Sequence, residues 1–395
     1  MERSDSEKSP RPRGPAPEIT EAFRALSSEL FGRVVDSGPR TITELSEGLS
    51  ASRPTVRRAL DGLESHSLIR AAGLRASDAG RPAVQYERGP GTPGLVGIDV
   101  RPLSTHIICT STTGRVHGRQ DLPHEHVDDD IRLEQVFRSV EALMDEVAND
   151  CGTGGPLAVV LGVPGIVDPS GTVRLSRIIP SWTGLPLRDI VSARFPTAQV
   201  RVENDMNLRA LAAMHDGSAQ GLHDFVYLTD NGHLRPAVVL GGHLRRGAHL
   251  TLGEDNSFTH VGLVPSTLRH DGLEVEFRRI ALGLEDGTLD AGWLAVLQDA
   301  LVDILLAMRY MLDPQAFIID GPPATTGPAE LESLRERLAE RTTIGDAPLI
   351  LTDQRGQDAT LHGALTLALR DVLTTTLQVD DPPIPQILDP RAPLA

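Results

Sequence analysis

Residues 43–58 read TELSEGLSASRPTVRR. A short amphipathic segment, with Thr43 as its expected N-cap, ends near Leu49, and after a tight turn the next segment opens with Ser52 and Pro54. Serine and threonine are favoured at helix N-caps, and proline is tolerated in the first helical turn. The stretch therefore predicts two helices joined by a tight turn, the arrangement of a helix-turn-helix.

Apolar residues on both sides of this stretch complete a small domain. Before it, they recur at spacings of three and four between Ile19 and Val34, which predicts a first helix. After it, Gly80-Arg81-Pro82 separates two extended stretches, which predicts a β-hairpin. Three helices and a hairpin form a winged helix-turn-helix, expected over residues 18–88 behind a disordered arm at 1–17.

Exposed polar side chains on this module are suited to bind double-stranded DNA. The third helix of such a module enters the major groove, where hydroxyls hold phosphates and arginine can pair with guanine. An arginine at a hairpin tip suits a narrow minor groove. The alternative is a helical cap packed on the body, with the arginines as solvated charges. The candidate DNA-binding residues are Ser52, Arg53, Thr55, Arg57, Arg58 and Arg81.

The distribution of charge favours a nucleic-acid contact in the N-terminal quarter. The 395 residues carry a formal net charge of −16, but residues 1–94 hold 14 basic and 13 acidic side chains. The acidic remainder repels nucleic acid, whereas the nearly neutral N-terminal segment does not. Lys8 is the only lysine, so arginine is the general cation of this chain and a single arginine says little about function.

Composition argues against several classes of protein. No run of 18 apolar residues occurs, and the polar N-terminus lacks the apolar segment of a secretory signal. Cys109 and Cys151 stand in unrelated contexts, which argues against a disulfide framework or a cysteine-rich zinc site. We therefore expect a cytoplasmic protein with no membrane partner, no metal and no cofactor.

Beyond a Gly-Pro-rich linker at 89–94, strands alternate with helices. Residues 95–100 and 158–163 are mainly apolar runs of the kind found in buried strands. Amphipathic helices and further apolar runs follow. This alternation predicts an α/β body over 95–378, followed by a flexible, proline-rich tail at 379–395.

The chain resembles the ROK family of repressors, open reading frames and kinases. Four stretches carry the resemblance: Gly80-Arg81-Pro82 ahead of Gly97-Ile98-Asp99, Gly162–Asp168 followed by Gly171, Trp182 with Leu185-Pro186-Leu187, and Val202–Asn207. The resemblance covers about residues 19–375. It implies a two-lobed, actin-like (sugar-kinase-like) body with a ligand cleft between the lobes and a late helix that returns to the first lobe.

Two phosphate-binding loops of the family's kinases have no counterpart here. Asp99 is followed by Val100-Arg101-Pro102 where the kinases have a glycine-rich loop, and Pro102 has no amide hydrogen. The second loop, at 229–236, has lost its glycine run. The cysteines of the family's zinc site are also missing. We therefore expect neither ATP-dependent phosphoryl transfer nor structural zinc.

The resemblance implies a partly retained sugar site. Asn204 and Asp205 resemble the family's sugar-hydroxyl ligands, and in a kinase the aspartate is also the general base. Glu254 matches another sugar-binding acid, but Asn256-Ser257 replaces the Gly-His that follows it. Alternatively, Asn204 and Asp205 only cap the helix that starts near Met206. We favour an altered polar cleft that binds a small sugar-like effector, with Asn204, Asp205 and Glu254 as ligand-binding residues.

The sequence therefore predicts a DNA-binding transcriptional regulator, a repressor, with a degenerate effector-sensing body and no enzymatic activity. We expect a homodimer or a dimer of dimers, in which the effector changes lobe closure and so the spacing of two winged helices. The alternatives are a sugar kinase with an N-terminal extension and a protein-interaction module with a vestigial cleft.

Overall fold

The computed structural model begins with a small domain of three helices and three strands. It describes residues 20–77, 80–124, 129–151, 154–230, 234–253, 291–321, 327–353 and 355–388. The first elements are α1 (Glu21–Ser37), β1 (Arg40–Thr41), α2 (Ile42–Ser46), α3 (Arg53–Ser65), β2 (Ile69–Ser77) and β3 (Gly80–Arg88). The strands pair antiparallel in the order β1-β3-β2. This is the winged helix-turn-helix that the sequence predicts.

Local capping sets where these helices begin. The Ser52 side chain accepts a hydrogen bond from the Thr55 amide at the start of α3, as expected. The start of α2 differs from the prediction, because its N-cap is Thr41 rather than Thr43. The Thr41 hydroxyl accepts from the Glu44 amide, and the Glu44 carboxylate accepts from the Thr41 amide at 2.8 Å. This capping box satisfies two amides at once, so α2 begins earlier.

The first lobe of the body is built on a five-stranded sheet. Its elements are β4 (Pro93–Val100), β5 (Ser104–Ser111), β6 (Val116–Pro123), α4 (Asp129–Cys151), β7 (Ala158–Val163), β8 (Ile166–Val167), β9 (Val173–Leu175), a 3-10 turn (Pro180–Trp182), α5 (Leu187–Arg194) and β10 (Gln199–Asn204). The strand order in the sheet is β10-β7-β4-β5-β6. Strands β4, β7 and β10 are parallel, and every residue of β4 and β7 is buried, which explains their mainly apolar sequences.

The second lobe carries another five-stranded sheet. Its elements are α6 (Asp205–Asp216), β11 (Phe225–Asp230), β12 (Leu234–Leu240), β13 (His243–Arg245), α7 (Ala291–Leu312), β14 (Ala316–Asp320), α8 (Pro328–Arg341) and β15 (Leu349–Thr352). The strand order in the sheet is β13-β12-β11-β14-β15. The apolar core of this lobe lies between β11, β12 and β14 and the two helices α7 and α8.

Helix α9 (Ala359–Leu377) returns to the first sheet and packs along α6. A Cβ atom at Gly363 would lie 1.8 Å from the carbonyl oxygen of Leu208, so only glycine allows the two helix backbones to touch. Since α6 also contacts β11 and β12, this helix pair joins the lobes. The body is the two-lobed α/β fold that the sequence predicts.

One apolar core connects the winged helix to the body. It contains Phe31 of α1, Leu373 and Leu377 of α9, and Ile387. No helix in the described part of the chain combines the length and the hydropathy of a membrane span.

The segments expected to be a linker and a flexible tail both have backbone partners. The amides of Gly89 and Gly91 donate to Leu68 and Ser67, and β4 already begins at Pro93. Within the tail, Leu388 donates to Gly114 and accepts from Val116. The proline and glycine content of both segments suggests mobility. As far as residue 388, however, the two segments form close backbone contacts with the winged helix and the body.

Candidate functional site

A cavity of 260 Å³ opens where the carboxyl ends of β4 and β7 meet α6 and β12. Its walls combine apolar side chains with six charged ones. The lining residues are Asp99, Val100, Arg101, Pro102, Pro164, Gly165, Ile166, Leu175, Arg177, Ile178, Asp205, Arg209, Arg235 and Gln357.

Asn204 lies at the end of β10 beside this cavity. Its side-chain oxygen accepts from the amides of Met206 and Asn207, so it is the N-cap of α6. Its Nδ2 donates to the Gly165 carbonyl at 3.0 Å. Gly165 has a φ of +154°, and a Cβ there would lie 2.4 Å from the Leu175 carbonyl oxygen. Two of the stretches that carry the family resemblance therefore meet here, and Asn204 has the capping role of the alternative interpretation.

Asp205 is engaged by an arginine from the second lobe. The two nitrogens Nη1 and Nη2 of Arg235 donate to the two carboxylate oxygens, at 3.0 and 2.9 Å. Arg235 lies on β12, within the 229–236 stretch that has lost the kinase glycines. Both side chains are mostly buried, and a bidentate, charge-assisted pair of this kind is a strong interaction.

The β4–β5 turn is closed by its own side chains. The Arg101 amide donates to the Ser104 carbonyl at 2.8 Å, and Arg101 Nε donates to Asp99 Oδ2 at 2.7 Å. Arg132 of α4 donates to the carbonyls of Arg101 and Pro102. Burial raises the pKa of Asp99, although Arg101 opposes that change. Side chains thus hold the turn where the kinases present backbone amides.

Arg209 of α6 is a buried cation between the lobes. Its Nη1 donates to Asp320 Oδ2 at 2.6 Å and to the Gly356 carbonyl at 3.1 Å. Burial disfavours its charge, but Tyr227, Asp320 and other acidic neighbours raise the pKa of Arg209 above its ordinary value. Burial also raises the pKa of Asp320, and Arg209 limits that rise. The arginine therefore stays charged and ties α6 to β14.

Helix α3 presents its arginines in three different settings. Arg57 is 60% exposed, and its Nε lies 4.0 Å from the equally exposed Asp61. Arg53 donates to the Thr43 hydroxyl at 2.8 Å, and Ser52 and Thr55 share a hydrogen bond beside it. The Arg58 guanidinium lies 4.5 Å from the centre of the Phe23 ring of α1, a cation–π contact within the module.

The remaining predicted site residues are only partly described. The backbone of Arg81 lies at the start of β3, but its side chain is outside the described residues, as is all of Glu254. Gly253, with a φ of +83°, approaches the Pro236 carbonyl so closely that a Cβ would lie 1.9 Å from its oxygen. The loop before Glu254 thus packs beside Arg235.

Sequence reasoning missed the arginines of the cleft as site residues. Arg101, Arg209 and Arg235 line the cavity, yet in a chain with one lysine no single arginine attracts notice. The available signal was the loss of glycines at the two phosphate loops, since Arg101 and Arg235 both lie in these loops. Among the described residues, no three histidine, cysteine or acidic side chains are grouped to hold a metal ion.

Comparison with known proteins adds relatives of two kinds. The sequence model of the ROK family matches residues 96–266. A xylose repressor of Caldicellulosiruptor bescii is 26% identical over 56% of this chain and 55% of its own length, so this chain spans about half of that relative. A putative xylose repressor of a Caldicellulosiruptor species is 26% identical over 77% of this chain and 85% of its own length. The kanosamine kinase of Amycolatopsis mediterranei is 27% identical over 70% of this chain and 97% of its own length.

Solved structures show the same fold. A ROK family transcriptional regulator, a homologue of the E. coli MLC protein, has a TM-score of 0.65 at 18% identity, covering 90% of this chain and 99% of its own. The ROK hexokinase of Thermus thermophilus has a TM-score of 0.56 at 22% identity, covering 71% and 99%. The winged helix is followed by a two-lobed body, and the family match over most of the first lobe and into the second shows that the chain contains a ROK family domain.

Proposed function

We propose that this protein is a DNA-binding transcriptional regulator, a repressor, whose body senses a small effector. The observation that carries the proposal is the winged helix-turn-helix with the exposed Arg53 and Arg57 on α3, joined by one core to a cleft-bearing body. The two relatives named as xylose repressors support the same role.

Two contacts in the cleft argue against the kinase alternative, which the kanosamine kinase relative and the hexokinase fold would otherwise favour. A general base needs a carboxylate oxygen within reach of the hydroxyl that it deprotonates. Both oxygens of Asp205 accept hydrogen bonds from Arg235 instead. The β4–β5 turn, held by Arg132, leaves no glycine-rich loop for phosphates.

Helix α9 offers a route from the cleft to the DNA-binding module. Just before its first turn, Arg101 donates to the Gln357 side chain and carbonyl, and Arg119 binds Asp358 through two bonds of 2.8 Å. At its other end, Leu373 and Leu377 belong to the core that includes α1. An effector that shifts Arg101 would therefore act on α9 and, through it, on the module.

Arg88 joins three parts of the chain at the far end of this route. Its guanidinium donates to the carbonyls of Val35 in α1, Thr113 in the β5–β6 turn and Gln386 in the C-terminal segment. In a homodimer or a dimer of dimers, a shift here would change the spacing of two α3 helices, and half-sites on DNA demand a fixed spacing of about 34 Å.

Binding of the full-length protein to DNA from its own promoter region tests the proposal. We expect a complex whose affinity falls steeply with salt, since phosphate contacts release counterions. Arg57→Ala should weaken it, whereas Arg138→Ala, a change at an even more exposed arginine on α4, should not. Absence of any salt-sensitive complex on promoter or genomic fragments would count against a regulator.

Two further measurements separate the alternatives. Sugar-dependent release of ADP from ATP would support a kinase. Failure to bind DNA together with co-purification of a specific protein would support an interaction module. Genomic footprinting with the purified protein would identify the operator, and the neighbouring genes would indicate the pathway under control.

A further inference from the structure

The charged side chains that line the cleft cavity are engaged within the protein. Three arginines of the wall each pair with an aspartate: Arg101 with Asp99, Arg235 with Asp205, and Arg209 with Asp320. Arg177, the remaining arginine of the described wall, also interacts within the chain. A charged ligand would have to compete with these pairs, and breaking a buried pair leaves a charge uncompensated. The cavity therefore favours an uncharged ligand.

A neutral sugar would have to share its binding groups with the protein's own donors. Sugar hydroxyls donate their protons to acceptors such as carboxylate and amide oxygens. At the candidate sugar ligands, Asn204 Oδ1 already accepts from two amides of α6, and both oxygens of Asp205 accept from Arg235. The Asn204 Nδ2 donates to the Gly165 carbonyl. In the described part of the site, this pairing within the protein weakens the recognition of a polyol.

Much of the remaining wall of the cavity is apolar. It is formed by Val100, Pro102, Pro164, Ile166, Leu175 and Ile178. Leu175 and Ile178 are 39% and 38% exposed, and large apolar side chains that water reaches are stabilised when a ligand covers them. The volume of the cavity is 260 Å³, and an apolar cavity of about 150 Å³ holds benzene. A compound of one or two rings therefore fits.

Two arginines of the wall use the edges of their guanidinium groups for bonds within the protein. Arg101 donates from Nε to Asp99 and from its two other nitrogens to the side chain and carbonyl of Gln357. Arg235 donates from two nitrogens to Asp205, and both arginine side chains remain about one-fifth exposed, at 20% and 19%. The flat face of such a group stacks on aromatic rings. Since no described residue of the wall is aromatic, the ligand would supply the ring.

We propose that the cleft of this protein binds a small uncharged aromatic compound of one or two rings. The ring contacts the guanidinium face of Arg101 and the apolar side chains of the wall. The inference deepens the proposed effector-sensing function and rests on it. Because Arg101 also holds Gln357 just before α9, this ligand binds where the route to the DNA-binding module begins.

Ligands that differ in one property test this inference on the full-length protein. Calorimetry and the shift of the melting temperature would compare phenol with cyclohexanol, benzyl alcohol with benzoate, and indole with xylose and glucose. We expect the three uncharged aromatic compounds to bind, one molecule per chain, with an affinity that salt does not change. Cyclohexanol, which cannot make a cation–π contact, should bind about three- to thirty-fold more weakly than phenol. Benzoate and the sugars should bind at least about tenfold more weakly than benzyl alcohol and indole, because their polar groups lose water without gaining free partners.

Two variants of the wall test the two contacts separately. Arg101→Lys keeps the charge but removes the planar face, so the preference for phenol over cyclohexanol should disappear. Ile178→Ala removes apolar surface and should weaken binding of all three aromatic compounds about threefold or more. Because Ile178 is already 38% exposed, this variant tests the wall even if Arg101→Lys fails to fold. Arg138→Lys on α4 and Ile344→Ala between α8 and β15 are the matched controls, since both residues are more than 70% exposed outside the cavity.

Two results would overturn the inference. One is binding of a sugar or of benzoate that is tighter than binding of any uncharged aromatic compound, and no binding of any aromatic compound counts in the same way. The other is aromatic binding that is unchanged in both wall variants. DNA binding is measured separately, so release of the operator by a sugar alone would refute the aromatic ligand and leave the regulator intact. Aromatic binding by a protein that does not bind DNA would do the reverse.

Discussion

Arginine has different roles in α3 and in the cleft. On α3, Arg57 is exposed, and its nearest described carboxylate is 4.0 Å away, so its charge is available to a partner. In the cleft, Arg235 and Arg209 are largely buried and form short bonds to Asp205 and Asp320. The residue type is the same, but solvent access and the nearest acid decide whether it contacts another molecule or holds the protein together.

The difference also bears on how the two regions tolerate change. An exposed ion pair contributes little to stability, so the fold does not depend on the charge of Arg57. Removal of one partner of a buried pair leaves an uncompensated charge, so the cleft cannot lose Arg209 or Asp320 alone. The following predictions test this contrast, beginning with the largest effect.

Arg209→Met should lower the free energy of unfolding by about 3–5 kcal/mol, because Asp320 would lose its buried counterion. Urea unfolding of the full-length protein measures this change. Arg57→Met is the control and should stay within about 0.5 kcal/mol of the unchanged protein. Equal losses in the two variants would break the contrast between the regions.

Arg57→Ala should weaken DNA binding and leave stability unchanged. We expect DNA affinity to fall by about 1–3 kcal/mol if Arg57 pairs with a base, with no change in the melting temperature. Arg58→Ala should affect DNA binding less, because that guanidinium is stacked on Phe23. Dissociation constants at one fixed salt concentration would decide, and a larger loss for Arg58 than for Arg57 would contradict the geometry.

Arg88→Met should weaken the coupling between the cleft and α3. The side chain loses its bonds to three backbone carbonyls, so an effector would change DNA affinity by about 0.5–2 kcal/mol less than in the unchanged protein. The measurement is the dissociation constant for DNA with and without effector. Arg70→Met, an exposed change on β2, serves for comparison and should leave the response intact.

Glu44→Gln should have the smallest effect and a defined pH dependence. The Thr41 amide and hydroxyl, with help from Arg75, lower the pKa of Glu44. A carboxylate with a lowered pKa stabilises the fold above its ordinary value of about 4.3, and this contribution disappears as the pH falls through the lowered pKa. The variant should therefore lose less than about 1 kcal/mol at pH 7 and show a flatter acid limb of melting temperature against pH. An unchanged acid limb would argue against the capping role.

The sequence predicts a structural element most accurately where a few neighbouring residues determine it. Ser52 followed by Pro54 fixes the start of α3, and the stretches flanking Gly80 form the hairpin, because caps and turns depend on a few neighbouring residues. An error in this module, Thr43 in place of Thr41 as a cap, arose because two threonines on either side of Ile42 both fit and only the reach of Glu44 distinguishes them.

Pairs that are distant in sequence were beyond such reasoning. Asn204 and Asp205 are recognisable by their motif, but the partner of Asp205 lies 30 residues away on another sheet. No local pattern predicts that Arg235 would reach it. The contacts of the C-terminal segment are beyond such reasoning for a similar reason, since its composition suggests mobility while the hydrogen-bond partner of Leu388, Gly114, lies far away in the sequence.

The contact of Arg88 with Gln386 spans 298 positions of the chain. At a synthesis rate of about 5–20 residues per second, the ribosome makes the second residue roughly 15–60 s after the first. For nearly all of that interval, the winged helix lacks Leu373 and Leu377 from its shared core, and Ile387 follows only after Gln386. A nascent chain thus carries helix α3 long before it carries the C-terminal residues that anchor the winged helix to the body.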